Sequence, residues 1–422
     1  MQPSRVSSPY NLSIPSPGPD ERKLALVMVG LPARGKSYTA RKIERYLSWL
    51  GYATRVFNVG EYRRARVGAR MEHNFFDPDN PEGSVARKAI ASEALEDMVN
   101  WLSTHGEVGI YDATNSTLER RNEVHRRCEI AGYQVLFIEI LCDDPELIDE
   151  NIRTTKVSSP DYANVDPEEA VRDFRARIEH YASHYETLND AEGAYVRVMN
   201  AGEHITTHAV AGYLAARIVF FLMNLHLSDR QIWITRHGES AYNEKGKIGG
   251  DPSLTERGRD YARALSQFVS NTFPARDAIS VWTSSLRRAV ETGELLGRAL
   301  RSFRALDEIN AGVCDGMTYA QIKATMPEEY AARSADKLRY RYPRGESYQD
   351  VIQRLDPVII ELERSRKPVL VIAHNAVARA LYAYLHGIAP EQCPHLDIPL
   401  HTVIRLTPHA YGVREERVQL ET

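Results

Sequence analysis

The chain is predicted to fold as two doubly wound α/β domains, each built on a mostly parallel sheet. Three observations carry that prediction. Short apolar runs alternate with segments of helical period from residue 23 onward. The alternation starts afresh with an apolar run at 231–235, behind the polar turn Ser228-Asp229-Arg230. Both starts run into glycine-containing motifs suited to binding phosphate. A length of 422 residues agrees, since roughly 100–200 residues make one domain. The sequences around the two strand starts share no motif, so the halves are not a duplication.

The first 22 residues, rich in proline and serine around Pro15-Ser16-Pro17-Gly18-Pro19, cannot bury apolar area and are expected to form a disordered or extended tail. Leu24–Val29 reads as a buried strand, followed by a helix on Ile43, Tyr46, Leu47 and Leu50, spaced i, i+3, i+4, i+7. Further strands are expected at 54–59, 108–111 and 134–141, with a helix over 118–130 before the last. This first domain covers 23–228. In the second, over 229–412, strand 231–235 precedes a helix at 255–269, a strand at 279–282 and a helix at 286–300. One long helix on Val351, Leu355, Val358 and Leu362, a strand at 368–373 and a helix at 376–385 complete it, leaving 413–422 as a short tail.

The 57 acidic side chains outnumber the 53 basic ones, giving a net charge of −4, although 43 of the basic residues are arginine. That balance argues against a nucleic-acid or anionic-membrane surface. Cys128, Cys142, Cys314 and Cys393 show no C-x-x-C spacing, so neither a zinc knuckle nor a disulfide framework is expected, and the compartment is read as reducing. The most apolar stretch, 210–225, is interrupted by Arg217 and Asn224 and falls short of a bilayer span; a cytoplasmic location is expected.

Gly30-Leu31-Pro32-Ala33-Arg34-Gly35-Lys36-Ser37 fits G-x-x-x-x-G-K-[ST] between a buried strand and a helix. Backbone N–H groups of such a loop wrap a phosphate chain, Lys36 reaches the β- and γ-phosphates, and the Ser37 hydroxyl ligates Mg²⁺. Asp112 follows the strand 108–111, where a carboxylate reaches the metal or a substrate hydroxyl. Arg63, Arg64, Arg66 and Arg70, followed by Arg87, form either a solvated face or cations for a phosphorylated acceptor. Asp77-Pro78-Asp79 is turn chemistry rather than a phosphatase D-x-D site.

Arg236-His237-Gly238-Glu239-Ser240 follows strand 231–235. A histidine there, flanked by a cation that stabilises the anionic substrate and the transition state, is suited to accept a phosphoryl group. Thr283-Ser284-Ser285-Leu286-Arg287-Arg288 and Ala373-His374-Asn375 also follow strands. Three strand ends bearing Arg or His thus converge on the crevice where open α/β sheets bind ligands.

With GLPARGKS, YDATN, RHGES, TSSLRR, EINAGVCDGMTY, YRYPRGESY and AHNAV in this order, the chain resembles the bifunctional 6-phosphofructo-2-kinase/fructose-2,6-bisphosphatase family from about residue 23 to 412. YRYPRGESY separates that family from phosphoglycerate mutases and general histidine acid phosphatases. The resemblance implies a P-loop NTPase-like kinase followed by a phosphoglycerate-mutase-like histidine phosphatase. For the first half it implies transfer of the ATP γ-phosphoryl group to the 2-hydroxyl of fructose 6-phosphate, with Mg²⁺ on Ser37 and Asp112. Gly30 to Tyr38 and Asn151 to Lys156 match the ATP positions; Arg63, Arg87, Thr114, Arg120, Lys156, Arg177 and Tyr181 match those for the sugar phosphate. Asp112 and Cys142 match positions near the reacting groups, although apolar packing explains Cys142 as well.

For the second half the resemblance implies hydrolysis of fructose 2,6-bisphosphate through a phosphohistidine on His237, without a cofactor. Arg236, Asn243, Arg288 and His374 would cradle the phosphoryl group. Glu308 would act as general acid and then as base, a role that asks for a carboxyl pKa raised by neighbouring anions. Gly249, Tyr319, Arg333, Lys337, Tyr348 and Arg379 match positions around the sugar and its 6-phosphate. Asn375 stands where the family usually has glutamine, one methylene longer, so weaker substrate binding is expected rather than lost chemistry. The implied assembly is a homodimer acting on small molecules, with neither nucleic acid nor membrane as partner. Arg5-Val6-Ser7-Ser8 is a weak phosphorylation candidate, and with the sequence ending at Thr422 no long regulatory C-terminal extension is expected. A nucleic-acid end-processing kinase–phosphatase is disfavoured by the acidic balance and the sugar-phosphate motif. A non-catalytic nucleotide sensor is disfavoured because neither set lacks a member.

Overall fold

A computed structural model describes residues 23–69, 73–77, 79–153, 160–162, 165–226, 230–409 and 412–421. The expectations for the 1–22 tail, Arg70, Pro78, Lys156, Ser228, Asp229 and Thr422 lie outside the described residues.

The first sheet is built from β1 (Leu24–Val29), β2 (Thr54–Asn58), β3 (Val108–Asp112), β4 (Gln134–Leu141), β5 (Tyr195–Met199) and β6 (His204–His208), in the order β2-β3-β1-β4-β5-β6. All neighbours are parallel except β5 and β6. β1 is six apolar residues, every one buried, as a central strand covered on both faces must be. The helices are α1 (Lys36–Trp49), α2 (Val59–Val67), α3 (Pro81–Thr104), α4 (Leu118–Ile130), α5 (Pro145–Asn151), α6 (Pro167–Ala182) and α7 (Tyr213–Asn224).

The second sheet comprises β7 (Ile232–Arg236), β8 (Ser280–Thr283), β9 (Leu300–Ser302), β10 (Val369–Ala373), β11 (Thr402–His409) and β12 (Gly412–Gln419), in the order β12-β11-β7-β10-β8-β9. Its four central and far-edge strands are parallel; β11 and β12 are antiparallel. Its helices are α8 (Ala241–Glu244), α9 (Glu256–Thr272), α10 (Arg287–Glu294), α11 (Tyr319–Thr325), α12 (Pro327–Ala335), α13 (Tyr348–Arg354), α14 (Asp356–Arg364) and α15 (Asn375–His386).

Three expectations are corrected. The long helix on Val351 to Leu362 is two, because Pro357 cannot donate in a helix interior and sits instead in the first turn of α14. The helix at 286–300 stops at Glu294, and Leu300 opens β9. The tail at 413–422 is largely the edge strand β12, paired with β11 from Gly412 to Gln419. Its polar sequence hid it: cross-strand pairing such as Arg405 with Glu416 holds β12, and its charges suit an exposed edge.

The domains meet along α1, α14 and α15. Trp49 Nε1 donates to the Ala380 carbonyl (3.3 Å) and Tyr46 OH to Asp356 Oδ1 (2.8 Å). Glu363, 1% exposed, accepts from Lys42 (2.8 Å), Arg45 (3.0 Å), Arg230 (2.7 Å) and Tyr384 (2.6 Å). Burial pulls the Lys42 ammonium down to about 7, against the attraction of Glu363.

Candidate active sites

β1 leads directly into the phosphate loop. Gly30, at φ 137°, lies so close to the neighbouring strand that a Cβ would stand 2.4 Å from the Ile140 carbonyl oxygen; only glycine fits. Gly35 turns the chain into α1, leaving the helix N-terminus free of a side-chain cap and open to an anion. Lys36 Nζ donates to the Leu31 carbonyl (2.6 Å).

The loop faces a cavity of about 880 Å³. Its lining includes Pro32 to Tyr38, Arg63, Arg87, Asp112, Thr114, Arg120, Cys142, Asn151, Arg177 and Tyr181; Gly30 and Leu31 are set back from the wall. Arg63 reaches both oxygens of Asp161 (2.7 and 2.6 Å) and Arg177 approaches the same carboxylate (3.6 Å). Phe76 lies against the Arg177 guanidinium, 3.5 Å from ring centre to cation. Arg87 donates to the carbonyl of Asp77 (3.1 Å) and also to that of Phe75. The cavity therefore gathers guanidinium groups at one end and a phosphate loop at the other.

Ser37 and Asp112 are the oxygen donors that would hold a divalent cation. Ser37 Oγ (3.4 Å) and the Asp112 carboxylate both accept from the amide of Asn58, which keeps the two hard oxygens close together. Among the described residues no group of three or more His, Cys, Asp or Glu could hold a metal. Substrate phosphates and water therefore have to complete the shell of such a cation.

In the second domain, β7, β8 and β10 end in step: Arg236 pairs with Ala373, and Thr283 with Ile372. The residues just beyond, His237, Ser284 and His374, are consequently brought together and are 2%, 0% and 0% exposed. Gly238 makes the turn possible, since a Cβ there would be 2.3 Å from the Gly258 carbonyl oxygen. His237 Nδ1 lies 2.6 Å from the Gly238 carbonyl. A carbonyl only accepts, so Nδ1 carries the proton and Nε2 keeps its lone pair. Arg288 Nε donates to that Nε2 (3.1 Å) while its Nη1 is held by the Gly250 carbonyl (2.7 Å). Burial first, then the charge of Arg288, holds the His237 pKa well below the usual imidazole value; the same two causes act on His374, whose ring centre is 4.9 Å away.

Arg236 donates to the Ile398 carbonyl (3.2 Å), and burial lowers its pKa against the pull of Glu308. Glu308 accepts the backbone N–H groups of Asn375 (3.1 Å) and Ala376 (3.2 Å), capping the start of α15. The anions expected beside it are not in contact: Asp307 is turned onto Ser285, accepting from its N–H (2.7 Å) and hydroxyl. Donors, not acids, surround the Glu308 carboxyl. Further out, Arg333 donates to Tyr342 OH (2.7 Å) and Tyr319 OH (2.8 Å), and Arg379 to Tyr348 OH (3.0 Å). Lys337 donates to the Pro394 carbonyl (2.6 Å), and burial together with Arg379 and Arg333 brings its pKa to about 8. Asn243 Oδ1 accepts from Ser240, capping α8. Gly249, at φ 72°, packs where a Cβ would collide with Asp315.

The 6-phosphofructo-2-kinase family model matches residues 15–229, and the histidine phosphatase superfamily (branch 1) model matches 232–421. A "6-phosphofructo-2-kinase/fructose-2,6-bisphosphatase" of Arabidopsis thaliana is 50% identical over 410 residues, 96% of this chain and 55% of that protein. Human "6-phosphofructo-2-kinase/fructose-2,6-bisphosphatase 4" is 49% identical over 94% of this chain and 84% of its own length.

The chain belongs to the 6-phosphofructo-2-kinase/fructose-2,6-bisphosphatase family.

It spans about half of the plant relative and most of the vertebrate one. Among solved structures, a mycobacterial glucosyl-3-phosphoglycerate phosphatase aligns with 29% identity and a TM-score of 0.40, covering 46% of this chain and all of that one. For a member of this bifunctional family, the predicted residues fall into two places. The cavity lining gathers the kinase set apart from Gly30 and Leu31, Lys156 being outside the described residues; the ends of β7, β8 and β10 gather Arg236, His237, Arg288, Glu308 and His374. Sequence reasoning missed Asn58, Asp161, Ser284 and Tyr342. Asn58 could have been found, as a polar residue closing β2 level with Asp112, and Tyr342 lies inside YRYPRGESY. Asp161 gave no signal, because its partners are far away in sequence.

Proposed function

We propose that the two sites form an opposed pair that makes and removes fructose 2,6-bisphosphate. In the kinase cavity ATP lies along the phosphate loop with Lys36 at its β- and γ-phosphates and Asn151 near the base. Arg63, Arg87, Arg120, Arg177, Thr114 and Tyr181 hold fructose 6-phosphate, with Lys156 assigned on the family pattern alone. Phosphoryl transfer is largely positioning and charge neutralisation, which suits a cavity lined by two lysines and several arginines. Ser37 and Asp112 would hold Mg²⁺, which when bound neutralises charge on the transferring group. Asp112 is also placed to accept the proton of the 2-hydroxyl.

In the histidine site, Nε2 of His237 attacks the phosphorus of the 2-phosphate and the bond to the sugar oxygen breaks. Glu308 delivers a proton to that oxygen and releases fructose 6-phosphate. Water then attacks the phosphohistidine, Glu308 takes its proton, the P–N bond breaks and inorganic phosphate leaves. Arg236 and Arg288 neutralise the phosphoryl oxygens and His374 and Asn243 hydrogen-bond to them; Gly249, Tyr319, Arg333, Lys337, Tyr348, Asn375 and Arg379 hold the sugar. The observation that carries this reading is the buried His237, whose fixed Nδ1 proton leaves Nε2 with its lone pair, held toward Arg288. A homodimer and a cytoplasmic location are proposed on family membership. Among the described residues no helix is long and apolar enough to cross a membrane.

The test is incubation with Mg-ATP and fructose 6-phosphate, followed by assay of the bisphosphate with [γ-³²P]ATP as tracer. Product should form, and His237→Ala should raise its accumulation. No labelled bisphosphate from either protein removes the kinase assignment.

A further inference from the structure

Ser284 ends β8 inside the run TSSLRR, and its hydroxyl oxygen lies 2.6 Å from Nε2 of His374, both groups being fully buried. A serine hydroxyl has one hydrogen to give and two lone pairs to receive. One lone pair already accepts the N–H of Leu286 (3.2 Å). With Nε2 committed to Ser284, the polar atom of the imidazole left to meet a phosphoryl oxygen is Nδ1. That atom is buried and has no hydrogen-bond partner among the described residues.

The two tautomers of His374 then do opposite things. If Nε2 carried the proton and donated to Ser284, Nδ1 would face the phosphoryl oxygens with a lone pair, acceptor against acceptor. If Ser284 donates to Nε2, Nδ1–H becomes a donor beside the nucleophile. We propose that Ser284 is a positioning residue that fixes His374 in the Nδ1–H tautomer, making it a neutral hydrogen-bond donor to the phosphoryl group on its way to His237. The role rests on the phosphohistidine reading above. Burial and the nearby Arg288 disfavour the imidazolium, so a neutral ring needs its tautomer set by a neighbour. Ring orientation by a fixed partner is the same device that holds the histidine of a hydrolytic triad, where loss of the right tautomer costs about 10⁴ in kcat. His374 donates here rather than shuttling a proton, so a smaller loss is expected.

The experiment compares wild type with Ser284→Ala and Ser284→Thr in the full chain. Kinase activity of the same preparations, together with an unchanged Tm in calorimetry, reports that both domains are folded. With fructose 2,6-bisphosphate labelled on the 2-phosphate, Ser284→Ala should lower kcat and the rate of acid-labile labelling of the protein by about 10- to 100-fold. Its KM should change less than about 3-fold, because the serine does not contact the sugar. Ser284→Thr, which keeps the hydroxyl, should recover most of the rate. In ¹⁵N-histidine-labelled protein, the His374 signals should shift toward the other tautomer in Ser284→Ala only. Wild-type kcat with unchanged His374 signals in Ser284→Ala overturns the proposal. So does a threonine variant with native kinase activity that is as slow as alanine. Hydrolysis and labelling that persist in His237→Ala would instead remove the phosphohistidine reading, whatever Ser284 does.

Discussion

In the kinase cavity, Arg63 and Arg177 meet the carboxylate of Asp161, whereas in the histidine site Arg236 and Arg288 each donate to a backbone carbonyl and Arg288 also to the imidazole of His237. The first arrangement settles two of its cations on an internal anion. The second rests its cations on neutral groups, so that more of their charge remains for an incoming anion. A reaction in which two substrates and a metal supply most of the charge tolerates an open cavity. One that forms a bond to the protein requires the reacting atom to be fixed beforehand.

The largest effects should come from dividing the two sites. His237→Ala is expected to lower hydrolysis by at least about 10³-fold and leave the kinase within about 2-fold, while Lys36→Ala should cost the kinase about 10²- to 10³-fold and spare hydrolysis. Paired assays on each variant check this, and a variant that loses both activities while still folded would break the separation. Next is the charge that joins the domains. Glu363→Gln leaves Lys42, Arg45 and Arg230 buried without their carboxylate, and should destabilise the chain by about 3–5 kcal/mol, read as a lower Tm in calorimetry.

A smaller effect follows from the neutral imidazoles. His237 and His374 have folded-state pKa values well below the ordinary 6.5, so above about pH 6.5 they are neutral whether folded or not. Below that value the unfolded chain binds protons that the folded chain refuses, and stability falls with falling pH. Tm should drop between pH 7 and pH 5, less steeply in His374→Gln. Over the same range kcat/KM for hydrolysis should show no acid limb from His237, unlike an exposed histidine. The smallest effect is expected at Asn375. Its Oδ1 is buried without a partner among the described residues, and Asn375→Gln should lower KM for the bisphosphate by less than about 3-fold at constant kcat; an unchanged KM in steady-state kinetics would dismiss the shortened amide as a cause of weak binding.

Strands such as Leu24–Val29 and 134–141, and the helix at 118–130, were legible because central parallel strands are mostly apolar and a helix shows its period. What escaped was polar or interrupted. β12 carries Arg414, Glu415, Glu416 and Arg417 in a row and reads as a tail until β11 is beside it; α14 looks continuous with α13 until Pro357 is given its position. Groups carried by motifs were legible because each motif adjoins an expected strand, as at His237 just after β7 and in the phosphate loop after β1. The surroundings of those groups were not. Nothing local to Glu308 says that its carboxyl caps α15, and nothing local to His374 says that a serine ninety residues earlier touches its ring.

The cluster around Glu363 has a consequence for how such a chain can be inherited. Lys42 and Arg45 come from one domain, Glu363, Arg230 and Tyr384 from the other, and Trp49 rests on α15 beside them. A gene cut at the junction would give a kinase piece with Trp49 and two cations facing water, and a phosphatase piece with a bared seat for all three. Recombination can therefore exchange the outer loops of either half freely, but the face they share has to pass from parent to offspring as one unit.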